Sequence, residues 1–266
     1  MGILRVDKLS GLETPTAVTG SVSFDGSGDH ISFSDRGDFD LGINNTPFTW
    51  ELWFHKLSAA GTFAQLGLTR GGGTAGWNGT DGHSYLAFQN TDNKIYWQWW
   101  DGSAQREIVS TETPAINTWY HFAVSYDGTT TRGYLNGIEF DSATNAYGKP
   151  SGSDTTRIGQ DASGTTNSHT YMSNMRVLNG TALYTADFTP PVHELEVIND
   201  TILLCCNNPD SVTAASNAGI GTVHVVTKTG DVSIASTTPG LTRDFTYGTE
   251  FNGVTTFDTQ GYFVPP

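Results

Sequence analysis

The chain has 266 residues, of which 15% are charged and 12% are aromatic, and its formal net charge is −14. Such an acidic chain repels polyanions, which argues against nucleic acid and anionic membranes as partners. No run of 18 apolar residues occurs, so no membrane insertion is expected. Residues 1–20 lack the apolar segment of a signal peptide, which indicates synthesis in a cytoplasm. The 31 glycines suit a protein of many short strands and turns.

The first 20 residues are predicted to form an N-terminal arm. Apolar side chains such as Leu4 and Leu9 alternate there with Gly11 and Pro15, which prevent a long helix. An arm of this kind packs against its own domain or against a neighbouring subunit, and the sequence leaves both alternatives open.

Period-2 alternation of apolar and polar residues predicts a series of strands from residue 21 onward. The clearest stretch is a meander after residue 118, in which Asn136-Gly137 is a strong two-residue hairpin signal. The predicted strands are, in chain order, Ser21–Gly26 with its turn, His30–Phe33, Phe48–Phe54, Phe63–Leu68, Tyr85–Phe88, Lys94–Trp100, Trp119–Tyr126, Tyr134–Leu135, Ile138–Phe140, Thr156–Gly159 and Tyr171–Leu178.

The amino-acid composition of the chain changes after Pro190-Pro191, which is predicted to end the domain. Residues 192–266 contain no Trp, and their predicted strands are short and rich in Thr and Val. This segment is either an extension of the sandwich or a small second module. The predicted division is therefore an arm (1–20), a β-sandwich (21–191) and a C-terminal β-rich extension (192–266).

Five motifs occur in an order that resembles a known family. They are Phe24–Gly26, Phe48–Phe54, Trp119–Gly128, Tyr134–Gly137 and Met172–Val177. Together they resemble the laminin-G-like domain of the concanavalin A-like lectin/glucanase superfamily, over residues 21–191. The resemblance implies an all-β fold, a jelly-roll sandwich of two antiparallel sheets.

A narrower resemblance is to laminin-G-like virion proteins of marine tailed phages. It is carried by Arg176–Tyr184, Phe188–Pro191, Leu203–Cys206, Arg5–Lys8 and Phe257–Phe263. It implies a non-enzymatic structural protein of the capsid surface or of a tail or fibre, located in a virion assembled in a host cytoplasm. The expected partners are other virion proteins, with host surface glycans and a homo-oligomer as further hypotheses. A carbohydrate-binding module for host glycans is the alternative function.

Hydrolases of this fold are the least favoured alternative. They use three carboxylates spaced Glu-x-Asp-x-x-Glu on one strand. Glu139 and Asp141 match the first two and are predicted to share a strand face, but Thr144 stands at the third position. The seven histidines are dispersed, and no Ser/His/Asp triad has local support. We therefore expect no enzymatic activity.

Calcium is the one cofactor that the family resemblance suggests. Laminin-G-like domains often hold one Ca²⁺ at the rim with carboxylate and carbonyl oxygens. Asp25 and Asp29 are candidate donors, and Asn174 stands where calcium-binding relatives often carry an acidic residue. The favoured alternative is that Asp25 caps its own turn.

Sugar binding requires an exposed aromatic ring beside polar side chains. Tyr96, Gln98 and Trp100 share one face of a predicted strand, and Trp97 and Trp99 share the other, so that one set should be core. The alternative for the other set is a second buried face or a subunit interface. The predicted glycan site combines this strand with the glycine-rich loop and comprises Trp77, Asn78, Asp81, Tyr96 and Trp100.

The only two cysteines, Cys205 and Cys206, are adjacent. Neighbours on a strand point to opposite faces, so a disulfide between them would be strained. Two reduced core thiols are expected, and no Cys or His spacing is typical of a metal site.

Overall fold

A computed structural model describes residues 19–33, 38–59, 64–65, 84–88, 92–148, 156–160, 167–218 and 226–241. Within these ranges no helix is long and apolar enough to cross a membrane. The elements are β1 (Val22–Asp25), β2 (His30–Phe33), a 3₁₀ turn (Ile43–Asn45), β3 (Phe48–Lys56), β4 (Ala64–Gln65), β5 (Ser84–Phe88), β6 (Ile95–Trp100), β7 (Gln105–Val109), β8 (Trp119–Tyr126), β9 (Thr131–Leu135), β10 (Ile138–Ala143), β11 (Thr156–Ile158), β12 (His169–Asn179), β13 (Thr201–Cys205), β14 (Ala215–Ser216), β15 (Val226–Thr229) and β16 (Ser233–Ile234).

Antiparallel sheets form the sandwich. The large sheet has the order β10-β9-β8-β3-β12-β1-β16, and β13 and β14 extend it beside β12. A second sheet has the order β4-β5-β6-β7, and a small one β11-β2-β15. The predicted all-β jelly-roll class is therefore confirmed.

The core lies between the large sheet and the sheet that contains β6. Alternation along β3 directs Phe48, Trp50, Leu52 and Phe54 inward, and all four are fully buried. Trp97 of β6 meets Trp50 with ring centroids 5.3 Å apart. Trp97 and Trp99 are thus the core-facing set of β6, which the alternation alone left undecided.

Residues 180–200 connect β12 to β13 along the chain and cross the outer face of the large sheet. We call this segment the strap. The amide of Asn179 donates to the carbonyl of Asp200 at 2.9 Å and closes the base of this loop. Further along, the Phe188 amide donates to the carbonyl of Gly137 at 2.8 Å, in the turn between β9 and β10. Pro191, the predicted end of the domain, lies within the strap.

The strands after the strap join the sheets of the sandwich. β13 pairs with β12, β15 with β2, and β16 with β1. The strands within residues 201–218 and 226–234 are thus paired with those of the sandwich, and the division of the chain at residue 191 stays a prediction. Residues 1–18 of the predicted arm and residues 242–266 lie outside the described part of the chain.

Candidate functional site

A charged cluster lies buried between the large sheet and the strap. Glu51 of β3 is fully buried, and its carboxylate accepts hydrogen bonds from Arg176 Nη2 at 2.6 Å and Nε at 2.9 Å. His121 Nε2 lies 3.2 Å from the other carboxylate oxygen, to which the Tyr184 hydroxyl also donates at 2.8 Å. Glu51 and His121 are inaccessible to solvent, so this cluster offers no surface for a substrate. Its hydrogen bond with Tyr184 holds the strap on the sheet.

The sequence reasoning missed this cluster. Glu51 is the only carboxylate of β3 and is flanked by Trp50 and Leu52, and a lone carboxylate between such neighbours is the signal that could have indicated a buried ion pair. The partners could not have been found in this way, because Arg176 and Tyr184 are 125 and 133 residues away in the sequence.

Beside the strap, the same outer face carries four rings that we call the aromatic row: Trp53, His55, Trp119 and Tyr171. The strand register places Tyr171 opposite His55 and His55 opposite Trp119, so three rings lie side by side across β12, β3 and β8. The Tyr171 and His55 rings are stacked 5.4 Å apart, and the His55 and Trp119 rings are 5.3 Å apart. Trp53, Trp119 and Tyr171 are partly exposed.

Three ring nitrogens of the aromatic row have no hydrogen-bond partner among the described residues. They are Trp53 Nε1, Trp119 Nε1 and His55 Nδ1. Burial lowers the pKa of the His55 imidazole, and backbone hydrogen bonds at His55 and Asn117 partly offset this effect. An unpaired buried polar atom is rare in a native protein and calls for an explanation, such as a bound water or a ligand.

The predicted glycan site is only partly within the described residues. Trp77, Asn78 and Asp81 lie outside them. Tyr96 and Trp100 do lie on the same outward face of β6, but Tyr96 is buried and its hydroxyl donates to Asp92 at 2.9 Å. Burial, with the hydrogen bond to Asp92 as the second cause, raises the pKa of Tyr96 to about 12. Only Trp100 is partly exposed on this strand, and glycan binding there stays a prediction.

The three predicted calcium ligands do not converge. Asp25 pairs with His169, which is five residues from Asn174 along β12, or ~16 Å. Asn174 is buried, and its amide nitrogen donates to Thr19 Oγ1 at 2.6 Å. Asp29 accepts from the amide of Asp25 at 3.0 Å, and Asp25 caps its own turn through the Ser27 amide at 2.7 Å.

Metal ligands are likewise not gathered elsewhere in the described ranges, where no group of three or more His, Cys, Asp or Glu side chains could hold a metal ion. Calcium binding by Asp25, Asp29 and Asn174 therefore stays a prediction.

The carboxylates Glu139 and Asp141 do not act as a matched pair on β10. A register shift between them interrupts the alternation that would place both on one face. Asp141 accepts a hydrogen bond from the Val109 amide at 3.0 Å, and Glu139 lies 3.7 Å from Arg132 Nε. The expectation of a shared strand face is therefore wrong, because the bulge was not visible in the sequence.

The sandwich of antiparallel sheets is a fold of the lectin-like type. The chain matches the family model of the concanavalin A-like lectin/glucanases superfamily over residues 25–186, which is more than half of its length. The chain therefore belongs to this superfamily. A search of curated proteins found no match.

Solved structures share the fold. A putative carbohydrate binding protein from Bacteroides ovatus has a TM-score of 0.56 at 16% identity, and the match covers 85% of this chain and 60% of that one. A SAP-like pentraxin from Limulus polyphemus has a TM-score of 0.44 at 16% identity, covering 64% of this chain and 79% of that one. Mouse laminin α1 domains LG4-5 give 0.43 at 14% identity, covering 69% and 48%. Of these three TM-scores only the first exceeds 0.5, and at 16% identity that likeness shows the fold alone.

Proposed function

We propose that this protein is a non-enzymatic carbohydrate-binding module whose ligand stacks on the aromatic row. The observation that supports this most directly is the register that aligns Tyr171, His55 and Trp119 across three strands of one partly exposed sheet face. Adjacent strands are ~4.8 Å apart, so the two outer rings form a platform about two strand spacings wide.

The chemistry of the row suits a sugar. Aromatic faces carry partial negative charge and attract the polarised C–H groups on the apolar face of a pyranose ring. Sugar hydroxyls both donate and accept hydrogen bonds. After a small movement of the rings they can therefore form hydrogen bonds with the unpaired nitrogens of Trp53, His55 and Trp119. The net charge of −14 favours neutral over anionic glycans.

The non-enzymatic part of the proposal is supported by the carboxylates. Hydrolysis of a glycosidic bond needs two accessible carboxyl groups on either side of the bond. Glu51 is buried and bound by three side chains, and Glu139 and Asp141 are separated by a bulge and engaged elsewhere. The engagement of these three carboxylates supports the proposal that the chain shares the scaffold of the superfamily's hydrolases without their activity.

The proposal predicts that Trp119→Ala and Tyr171→Ala each weaken glycan binding by at least about tenfold, the equivalent of ~1.4 kcal/mol. A glycan array on the parent protein would identify a ligand, and calorimetric titration would compare the variants. Trp100→Ala, on the other sheet, is the matched control and should bind like the parent. Unchanged thermal unfolding would show that the variants remain folded.

Two outcomes would contradict this proposal. If the parent binds no glycan, the module is not a lectin. If Trp100→Ala abolishes binding while Trp119→Ala does not, the ligand lies on the β6 face that the sequence predicted.

We further propose that the module is a structural component of a virion, on the capsid surface or in a tail or fibre. There it contacts other virion proteins, and copies of itself, through surfaces outside the aromatic row. The support is the resemblance carried by Arg176–Tyr184 and Phe188–Pro191, which cover the end of β12 and part of the strap. Deleting residues 1–18, which keeps the buried Thr19 and the hydrogen bonds of Gly20, should then leave a folded chain that no longer enters particles, as measured by mass spectrometry of purified virions. Normal incorporation of the truncated chain would exclude the arm as the attachment device.

A further inference from the structure

The line of rings in the aromatic row continues across two more strands. Ser23 of β1 lies opposite Tyr171, and Ser233 of β16 lies opposite Ser23. Val22 and Phe24, the neighbours of Ser23, are fully buried in the core, so Ser23 projects from the outer face together with the rings. We call the resulting line across five strands the ledge: Trp119, His55, Tyr171, Ser23 and Ser233.

The ledge is walled on the side of the strap. Ser21 and Ser173 project from the same face two residues away, and both are buried. The Ser173 hydroxyl donates to the carbonyl of Gly20 at 2.6 Å, and the Ser21 hydroxyl donates to the carbonyl of Thr237. Other segments of the chain therefore cover the sheet at this position and leave the ledge as the edge of the open surface.

On the opposite side of the ledge the strands end. Trp119 is the first residue of β8, β3 ends one residue after His55, and β12 begins two residues before Tyr171. β1 ends at Asp25, two residues after Ser23. An extended ligand thus has little room along the strands, between their ends and the wall, and fits best when it runs across them. Ser23 is partly exposed and Ser233 is exposed, so the line stays open beyond the rings.

The length of the ledge indicates the size of the ligand. Five strands at ~4.8 Å spacing have a span of about 19 Å between the outermost two. A pyranose residue in an extended chain advances by about one strand spacing, so the ledge matches about four to five sugar residues. We propose that the ligand is a neutral β-1,4-linked polysaccharide that lies across all five strands. This inference rests on the proposed function of the aromatic row and adds the class and direction of the glycan.

The chemistry along the ledge suits such a chain. A β-1,4-linked chain stays extended over many residues and can follow a straight line, whereas an α-1,4-linked chain coils away from a flat surface. Sugars at one end stack on the rings, and those at the other end exchange hydrogen bonds with the hydroxyls of Ser23 and Ser233, which donate and accept. No residue of the ledge is Asp, Glu, Lys or Arg, and the exposed Asp25 beside it disfavours an anionic chain.

Calorimetric titration of the full chain with oligosaccharides of increasing length tests the proposal. The probes are β-1,4-linked oligomers of glucose, mannose and xylose with two to six residues. In at least one series we expect affinity to rise by at least about tenfold from the disaccharide to the pentasaccharide, because each added sugar gains contacts along the ledge. The hexasaccharide should bind no more tightly than the pentasaccharide, since the ledge then has no further strand to offer.

A double variant, Ser23→Ala with Ser233→Ala, tests the part of the ledge beyond the rings. Loss of two hydrogen bonds should weaken pentasaccharide binding by about tenfold and leave disaccharide binding unchanged. Ser142→Ala is the matched control, because Ser142 is exposed on β10 at the opposite edge of the same sheet and should not affect binding. Equal thermal unfolding of both variants and the parent would show that they are folded.

Three outcomes would overturn the proposal, and they are distinguishable. If the disaccharide binds as tightly as the pentasaccharide while Trp119→Ala abolishes binding, the ligand ends at the rings, and the proposed function stands without the ledge. If a glycan array finds a ligand but none of the three β-1,4-linked series binds, the class of polysaccharide is wrong. If no glycan binds at all, the ledge and the proposed function both fail.

Discussion

Replacing Glu51 with alanine is expected to lower the free energy of unfolding by about 3–5 kcal/mol, because it leaves Arg176 buried without its partner. The pair is nearly inaccessible to water, with Arg176 Nη2 2.6 Å from the carboxylate. The same change removes the acceptor of the Tyr184 hydroxyl and so weakens the attachment of the strap. Urea denaturation, monitored by tryptophan fluorescence, would measure the loss.

Glu139→Ala is the matched control for this prediction. The Glu139 carboxylate lies 3.7 Å from Arg132 and its side chain is 32% exposed. A partly exposed pair of this kind contributes at most about 1 kcal/mol. Equal effects of the two substitutions would show that Glu51 is not the centre of a buried cluster.

Glu51 also makes the free energy of unfolding depend on pH in the acidic range. Burial alone would raise its pKa, but the His121 hydrogen bond and the Arg176 charge bring the pKa below the ordinary value of 4.5. A carboxylate with a lowered pKa stabilises the folded state fully above its unfolded-state pKa, and this contribution is lost as the pH falls through the folded-state pKa. The urea concentration at the unfolding midpoint should therefore decrease as the pH is lowered below about 4.5. Glu51→Gln should remove that part of the pH dependence.

Gly137→Ala is expected to be the second most damaging change, because it combines backbone strain with a collision. Gly137 has φ of 80°, where a side chain costs about 1–2 kcal/mol. A Cβ added there would lie 1.9 Å from the carbonyl oxygen of Phe188, a backbone atom of the strap. Overpacking of this kind adds about 1–3 kcal/mol. Thermal unfolding would report the sum, and faster hydrogen exchange of the Phe188 amide would locate the damage in the strap.

Gly102→Ala separates the two contributions. Gly102 has a similar φ of 98°, but a Cβ there would meet nothing within 4 Å. This control should show the backbone cost alone and leave exchange at Phe188 unchanged. If Gly137→Ala is no less stable than Gly102→Ala, the strap backbone moves to accommodate the added Cβ without a measurable loss of stability, and the prediction is wrong.

The large sheet and much of its core could be predicted from the sequence. Alternation in Phe48–Phe54 and Trp119–Tyr126 indicated two central strands, and Asn136-Gly137 indicated the hairpin that joins β9 to β10. These features are local, since side-chain period and turn conformation depend on residues within a few positions of one another. Alternation also separated Trp97 and Trp99 from Tyr96 and Trp100, although it could not tell which set faces inward.

The candidate site could not be predicted in the same way. Trp53, His55, Trp119 and Tyr171 come from three strands that are far apart in the chain, and they form a row only through the register of β3 with β8 and β12. A slip of one residue in either pairing would turn the rings of a strand to the opposite face. No local pattern records such a register.

By itself, therefore, the sequence determined the class of fold, the central strands and the absence of a complete hydrolase motif, because each depends on spacing along the chain. Only the tertiary structure decided that the strap buries Glu51, that the aromatic row lies beside it, and that the sulfur of Cys206 lies 3.7 Å from that of Cys205, where strand alternation predicted opposite faces. Each of these depends on contacts between segments that are distant in sequence. Their geometry is set by how the two sheets and the strap pack together, which the spacing of residues along one strand does not specify.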